Sequence, residues 1–236
     1  MRVKEKIDCE KCDNTDCYIK RYSNLQQMAI VSMNKGMSSF KKDEYIFREG
    51  DMVHGIYFIQ NGAVKVISDT LHGRQQIVRL SKRGNILGYR ALGKNVYYFN
   101  AIAFSDATLC FIDNETYHSL CKINNDLTYN LMLQYAHELG RTGLRMKFQA
   151  QMNAREKIAE AFVYLYETYG MIPGTNKLNI AYSRQDLTDL AGSSFEQISR
   201  QIAEFEKEGI LAKQKREIEI LDLDKLKDIV QMYKIE

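Results

Sequence analysis

Hydrophobic residues change their spacing close to Asp113, and this change divides the chain into two kinds of structure. From Lys42 to Ile112, short runs rich in Val, Ile, Tyr and Phe are separated by glycines, which is typical of a β-sandwich or roll. After Asp113, apolar residues recur every three or four positions, as they do in amphipathic helices. The two patterns predict an α+β chain in which an N-terminal β-roll precedes a helical C-terminal half.

The tightest strand pattern surrounds the pair Asn61-Gly62. Tyr57 comes before the pair and Val64 after it, each within an alternating apolar run. Asn-Gly is a preferred centre for a type I′ turn. We therefore predict a strand–turn–strand hairpin at this point.

Composition restricts the class of protein. Of the 236 residues, 45% are hydrophobic and 27% are charged, which is globular composition. No stretch approaches the roughly 18 consecutive apolar residues of a membrane span, and the N-terminus has no apolar signal segment, so we expect a cytoplasmic protein with no membrane partner. Because 33 Lys and Arg face 30 Asp and Glu, any DNA contact must come from a local basic surface.

We expect four segments along the chain. They are an N-terminal cysteine-containing segment (1–24), a β-roll sensor (25–124), a dimerisation helix (125–153) and a C-terminal winged helix-turn-helix (154–236). The single proline, Pro173, stands beside two glycines and marks a loop inside the last segment.

A long helix is predicted from about Asp126 to Gln151. One face of this helix carries Leu131, Tyr135, Leu139, Thr142 and Met146. This face either packs on the chain's own roll or forms the seam of a homodimer. A helix of roughly 25 residues extends about 38 Å, further than a small roll covers, which favours the dimer seam.

The stretch from Ser183 to Leu211 contains two amphipathic segments divided by Gly192, the pattern of a helix-turn-helix. Ser183, followed by Asp186, suits the start of the first helix, in an arrangement close to a capping box. In the second helix, Ile198, Ile202 and Phe205 form the predicted buried stripe.

Another face of the second helix presents Glu196, Ser199 and Arg200 near its N-terminus. An arginine can hold guanine and a glutamate can accept a hydrogen bond from cytosine in the major groove, so we predict that these residues read bases. The alternative is an ordinary intrahelical ion pair between Glu196 and Arg200. Two short strands flank a basic tip and predict a wing. The expected phosphate contacts are Ser183, Arg184, Lys213, Lys215 and Arg216.

The EGD…GIYFIQNGAVKV and SRQDL…G…E-x-x-S-R…GIL segments resemble the CRP/FNR family of transcription regulators. The resemblance covers nearly the whole chain. It implies a jelly roll like that of cyclic-nucleotide-binding domains, a dimerising helix and a winged helix-turn-helix. It also implies that Glu196, Ser199 and Arg200 read a palindrome of TTGAT half-sites in double-stranded DNA, and that RNA polymerase is a partner if the protein is an activator.

Cyclic AMP is not expected as the ligand of the roll. Family members that bind it carry a glutamate and an arginine in the phosphate-binding segment. Here Tyr89 stands in place of the glutamate, and Phe99 and Asn100 supply no cation. Arg90 leaves open the alternative that the roll binds a different anion.

Three cysteines form the pattern C-x2-C-x4-C at Cys9, Cys12 and Cys17, and thiolates at such spacing suit an iron–sulfur cluster. The resemblance implies a [4Fe–4S] cluster with Cys110 as the fourth ligand, although the FNR pattern has one more residue between its second and third cysteines. We expect Cys121 to be structural. Nearby lysines that offset thiolate charge are expected at Lys4, Lys6 and Lys11.

Other interpretations of the sensor remain open. The cysteine trio suits structural zinc, free thiols or a reversible disulfide switch, and Cys110 alone suits a buried core position. Haem or a small ligand in the roll is a further alternative, with four candidate ligands at His54, His72, His118 and His137.

The chain has no nucleophile elbow, P-loop or paired-carboxylate motif, so we do not expect an enzyme. With a cluster, oxygen or nitric oxide would act on the balance between monomer and DNA-binding dimer.

Overall fold

A computed structural model of the chain describes residues 2–69, 73–89, 93–214 and 217–230. As far as these residues show, the chain divides into two compact units. Residues 1–69 with 78–138 form the first unit, and residues 70–77 with 139–236 form the second. The division falls inside the long helix, so the four-segment scheme predicted from the sequence stays a prediction.

Two antiparallel sheets form the β-roll. The first sheet has the order β1-β2-β9-β4-β7 and the second β3-β8-β5-β6. The strands are β1 (Arg2–Val3), β2 (Gly36–Phe40), β3 (Tyr45–Phe47), β4 (Gly55–Asn61), β5 (Ala63–Asp69), β6 (Gln75–Lys82), β7 (Ile86–Leu87), β8 (Asn100–Ala103) and β9 (Ala107–Asp113). The predicted β-roll is confirmed, and its sheets begin earlier than Lys42.

Strands β4 and β9 form the centre of the first sheet, with Ile56 opposite Ile112 and Phe58 opposite Cys110. Ile59 and Leu109 are buried between the two sheets. Ile56 and Ile112 are buried on the other face of the first sheet, in one cluster with helical residues. Gly55 lies so close to β9 that a Cβ atom would fall 2.1 Å from the Ile112 carbonyl oxygen. The glycine is therefore required by close strand packing.

The predicted hairpin at Asn61-Gly62 is wrong. Strands β4 and β5 follow one another in the chain, but they belong to different sheets and do not pair. A type I′ turn needs positive φ at both central residues. Within the described residues Gly62 has a φ of 88°, whereas Asp43 is the only non-glycine residue with positive φ. Gly62 therefore carries the chain from one sheet to the other.

The N-terminal segment is folded onto the roll. Strand β1 pairs with β2, placing Val3 opposite Ser38. Short helices follow at α1 (Tyr18–Tyr22) and α2 (Leu25–Asn34), and α3 (Asn114–Ile123) follows the last strand of the roll. The segment that carries three of the cysteines therefore has a defined position against β2.

The remaining elements are mostly helical. They are α4 (Asn125–Gln149), α5 (Ala154–Tyr169), α6 (Arg184–Ala191), α7 (Phe195–Lys207), β10 (Leu211–Gln214), β11 (Glu217–Ile220) and α8 (Leu223–Ile229). The long helix and the two helices around Gly192 are confirmed. In the described part of the chain, no helix combines the length and the apolar character that crossing a membrane requires.

Candidate functional site

The two helices around Gly192 begin and end on strong local signals. Ser183 Oγ accepts a hydrogen bond from Asp186 N at 3.0 Å, and Asp186 Oδ2 accepts one from Ser183 N at 2.8 Å. This capping box satisfies backbone donors at the start of α6. Gly192 ends α6 in the left-handed conformation, with φ 59° and ψ 42°. The turn that aims α7 therefore needs a residue such as glycine.

Helix α7 has a buried face and an exposed face. Ile198, Ile202 and Phe205 are buried, as predicted. Glu196 and Arg200 are exposed, and Ser199 is half-buried between them. The three predicted base-reading residues therefore share one surface near the N-terminus of the helix, where recognition helices contact bases.

Arg200 keeps its guanidinium available for a ligand. In the part of the chain that the structure describes, no ion pair joins Glu196 to Arg200, although their spacing would permit one. Arg184 Nη1 lies 3.5 Å from Ser199 Oγ, which links the start of α6 to the same surface. The arrangement favours contact with DNA over the intrahelical alternative.

The predicted phosphate contacts differ in their surroundings. The Ser183 hydroxyl donates to Asp186 Oδ2 at 2.6 Å, so its proton is already used within the cap. Lys213 is exposed on β10, and its backbone nitrogen donates to Glu206 Oε1 at 2.9 Å, which ties the wing to α7. Lys215 and Arg216 lie outside the described residues, as do Arg90 and His72.

Phe195 was missed by the sequence analysis. It is the first residue of α7, directly before Glu196, and its side chain is 54% exposed. A large exposed aromatic side chain at this end of the helix suits contact with a thymine methyl group. Its position immediately after the N-cap Ser194 was the available signal.

A buried ion pair joins the end of α4 to α5. Arg145 Nε donates to Glu160 Oε1 at 2.8 Å, and Arg145 Nη2 reaches Glu160 Oε2 at 3.3 Å. The same guanidinium donates to the carbonyl of Leu190 in α6 at 3.2 Å. Because Glu160 is fully buried, Arg145 fixes three helices of the second unit around one charge.

Two residues of the predicted dimer seam face the chain's own core. Leu131 is buried in the first unit, and the ring of Tyr135 stacks on Tyr89 with centroids 4.5 Å apart. The hydroxyl oxygens of Tyr135 and Tyr117 are 3.1 Å apart. These contacts correct the predicted stripe at Leu131 and Tyr135, because the first turns of α4 cover the roll.

A different face of α4 is exposed and apolar. Its residues alternate in spacing between three and four, as positions a and d of a coiled coil do. They are Tyr129, Met132, Ala136, Leu139, Gly143 and Met146. Leu139 is 75% exposed, and Thr142 is half-buried beside this face. Leu139 and Met146 of the predicted seam thus belong to the exposed face.

The roll interior contains a buried arginine with a partner in its own chain. Arg79 Nε lies 3.0 Å from Glu138 Oε2, close enough for an ion pair although not in hydrogen-bond geometry. Arg79 Nη1 donates to the Ile86 carbonyl at 2.9 Å. The Tyr89 hydroxyl is 3.2 Å from the same Glu138 oxygen. A carboxylate from α4 therefore lies beside Arg79 as its ion-pair partner.

The four cysteines predicted as ligands line one cavity in the first unit. Cys9, Cys12 and Cys17 come from the N-terminal segment, and Cys110 comes from β9. Asn14, itself buried, donates to the Ile59 carbonyl at 3.0 Å and holds the loop between them against β4. Cys121 does not line this cavity.

The thiols in this cavity influence one another electrostatically. Burial raises the pKa of the Cys110 thiol to about 12. The positive charge of Lys35 opposes this rise, and negative charge on the other three cysteines adds smaller contributions to it. Burial also raises the pKa of Cys17, and charge on Cys9 and Cys12 adds to that rise. With their raised pKa values, the Cys17 and Cys110 thiols must give up their protons when a metal binds.

The predicted lysines have other partners. Lys4 bonds to Thr108, Lys6 to the Met33 carbonyl, and Lys11 lies near Asp8. Lys35 lines the cavity instead, with Nζ 3.3 Å from Cys9 Sγ. Sequence reasoning missed Lys35, because nothing in the local sequence marks it as buried.

The described residues do not form a site for a single metal ion. Among the described residues, no three His, Cys, Asp or Glu side chains are close enough to share one metal ion. The cysteine ligands of an iron–sulfur cluster can lie further apart than those of a single ion, because they bind different iron atoms. The described histidines, His54, His118 and His137, are all exposed and offer no buried axial ligand for haem.

Comparison with known proteins agrees with this architecture. Residues 37–124 match the cyclic nucleotide-binding domain, and residues 156–229 match the Crp-like helix-turn-helix domain; together they span more than half of the chain. The transcriptional activator protein FnrA of Stutzerimonas stutzeri is 24% identical over 94% of this chain and 92% of its own length. The fumarate and nitrate reduction regulatory protein of Escherichia coli is 25% identical over 93% and 89%.

A solved structure shows the same fold. FixK2 from Bradyrhizobium japonicum superposes with a TM-score of 0.72 and 22% identity, covering 83% of this chain and 97% of that one. Both domain matches and the curated relatives lie in one family. The protein belongs to the CRP/FNR family of transcription regulators.

Proposed function

We propose that this protein is a homodimeric, sequence-specific DNA-binding regulator whose activity responds to oxygen or nitric oxide through a [4Fe–4S] cluster. The observation that carries the proposal is the cavity shared by Cys9, Cys12, Cys17 and Cys110. Three of these residues are close in sequence, but Cys110 is about 90 residues away and is brought to them by the pairing of β9 with β2 and β4.

DNA recognition is assigned to the exposed face of α7. Arg200 has the chemistry to hold guanine O6 and N7, and Glu196 to accept a hydrogen bond from cytosine N4. Ser199 is a small adaptable partner between them. We propose a palindromic site with TTGAT-like half-sites, with Lys213, Lys215 and Arg216 of the wing and Arg184 contacting phosphates. The relatives named as transcriptional activators support contact with RNA polymerase.

Dimerisation is assigned to the exposed apolar face of α4. Leu139 and Met146 alternate along this face with the small residues Ala136 and Gly143. Large side chains of one helix fit beside small ones of another in a coiled-coil seam. A palindromic site requires two recognition helices related by a two-fold axis, which a parallel pair of α4 helices would supply.

Four thiolates from the chain would hold the cluster. When bound, the cluster supplies iron atoms that react with oxygen or nitric oxide. The chain's own contribution is to join the N-terminal segment to β9, the middle strand of the first sheet. Cys9 N donates to Ser32 Oγ at 2.8 Å, and this contact and the buried Asn14 position the ligand loop.

The test compares cysteine variants after anaerobic reconstitution with iron and sulfide. We expect about four irons per chain in the wild type, and a large loss of iron in Cys9→Ser, Cys12→Ser, Cys17→Ser or Cys110→Ser. Cys121→Ser is the matched control and should keep its iron. A wild type without iron would overturn the cluster. A mass decrease of two hydrogens upon oxidation would then identify a disulfide switch.

A further inference from the structure

Lys35 is the most unusual side chain at the cysteine cavity. It follows α2, where its backbone N–H donates to the Val31 carbonyl at 2.8 Å. Its side chain is directed inward, and the residue is only 2% exposed. The ammonium nitrogen lies 3.3 Å from Cys9 Sγ and lines the cavity with the other three cysteines.

A buried ammonium without an anion is expensive. Taking a charged amine out of water is so unfavourable that protein interiors rarely contain one unless an opposite charge lies nearby. In the described ranges of the chain, no carboxylate oxygen lies within 4.0 Å of Lys35 Nζ. Besides the four cysteines, the cavity is lined by the amides of Asn14 and Gln60, by a second lysine, Lys20, and by apolar side chains. The thiols are therefore the lining groups that can become anionic, and the counter-charge has to form in the cavity itself.

A cluster ligated by four thiolates is such an anion, because the thiolates together carry more negative charge than the iron–sulfur core carries positive charge. We propose that Lys35 is the buried counter-cation of this cluster. The inference rests on the proposed function, and it assigns to Lys35 the tuning of cluster retention and of reduction potential. Net charge and hydrogen bonds to the sulfurs are the properties of a protein site that set both.

The role of a counter-cation has a signature that a merely structural lysine lacks. Without Lys35 the loaded site is more negative, so adding an electron is harder and the midpoint potential falls. Outer partners of metal ligands typically contribute 10- to 100-fold to metal affinity, so iron should be lost about 10- to 100-fold more readily. In the iron-free protein, removing the Lys35 charge should have the opposite effect and stabilise the fold. The variant no longer has to bury an ammonium that lacks a full counter-charge.

The experiment compares the wild type with Lys35→Met, which keeps a similar length and removes the charge, and with Lys6→Met as the control. Lys6 is exposed near the same segment, and its ammonium bonds to the Met33 carbonyl. Three quantities are measured on the full chain: iron retained against a chelator, the midpoint potential of the reconstituted protein, and the urea midpoint of the iron-free protein. Lys35→Gln replaces Lys35→Met if the latter aggregates.

We expect Lys35→Met to lose iron faster, to show a lower midpoint potential, and to match or exceed the wild-type urea midpoint when iron-free. Lys6→Met should leave all three unchanged. Equal retention and potential in Lys35→Met and the wild type would overturn the role of Lys35 while leaving the cluster in place. A lower urea midpoint of the iron-free variant would assign a purely structural role to Lys35. A wild type that takes up no iron would overturn the proposed function, and this inference with it.

Discussion

Within the described residues, replacing Arg145 by methionine removes the only charged partner of a fully buried carboxylate, that of Glu160. The side chain of Glu160 is 0% exposed and that of Arg145 is 13% exposed, and their closest atoms are 2.8 Å apart. Methionine preserves most of the volume of the arginine stem and leaves the carboxylate charged but unpaired. Arg145→Met also removes the hydrogen bond to the Leu190 carbonyl of α6.

Breaking a buried pair by removing one partner costs about 3–5 kcal/mol of unfolding free energy. With a urea dependence of about 2 kcal/mol per molar, the midpoint of unfolding should fall by about 1.5–2.5 M. Far-ultraviolet circular dichroism follows this transition, because the helices that meet at Arg145 contribute strongly to it. Arg141→Met is the matched control: its ion pair with Glu167 is at the surface, so it should cost less than about 1 kcal/mol.

The double variant Arg145→Met/Glu160→Met distinguishes charge from packing. Because replacing both members of a buried pair with apolar side chains is often close to neutral, it should recover most of the stability lost in Arg145→Met. If Arg145→Met costs no more than Arg141→Met, the argument from burial is wrong. If the double variant is as unstable as the single one, the lost contact with Leu190 explains the effect instead.

Three further predictions address binding, assembly and pH. Arg200→Ala should weaken binding to the specific site by about 1–3 kcal/mol and change binding to random DNA little. Lys213→Ala should weaken binding to both DNAs and lower the slope of log affinity against log salt concentration by about one. Anisotropy titrations at several salt concentrations measure both effects. Leu139→Asp should weaken dimerisation at least about 100-fold in sedimentation equilibrium, because the dimer would no longer bury one leucine from each chain. An unchanged dimer would exclude this face as the interface. Burial raises the pKa of Tyr135 to about 12 in the folded protein, above its ordinary value of 10.0, so stability is complete below pH 10 and falls as pH rises towards 12. Tyr135→Phe should flatten that alkaline fall in urea midpoints, and an identical pH profile would contradict it.

Local signals explain which elements the sequence could predict. Ser183 with Asp186 and the left-handed Gly192 determine the ends of α6 through contacts a few residues apart, so the helix-turn-helix could be derived directly. The long helix α4 followed from periodicity alone. The three buried residues of α7 likewise followed from their spacing.

Non-local packing explains what the sequence could not predict. Asn61-Gly62 has the composition of a hairpin turn, but pairing with β9 and β8 places the adjoining strands in different sheets. Periodicity places apolar residues on more than one face of α4, and the burial of Leu131 and the stack of Tyr135 on Tyr89 show which face covers the roll. The burial of Lys35 could not be predicted, because a lysine is expected at the surface unless an anion lies in the interior.

Binding of a palindromic TTGAT duplex by anaerobically reconstituted protein, measured before and after exposure to air, tests whether DNA binding depends on an oxygen-sensitive cluster. We expect a dimer that binds the duplex tightly without oxygen, loses its iron in air and then releases the DNA. Iron content is determined on the same samples, so the two losses can be compared in time. Equal binding before and after exposure, whether or not iron is lost, would contradict an oxygen-responsive cluster and leave a DNA-binding regulator with a different signal.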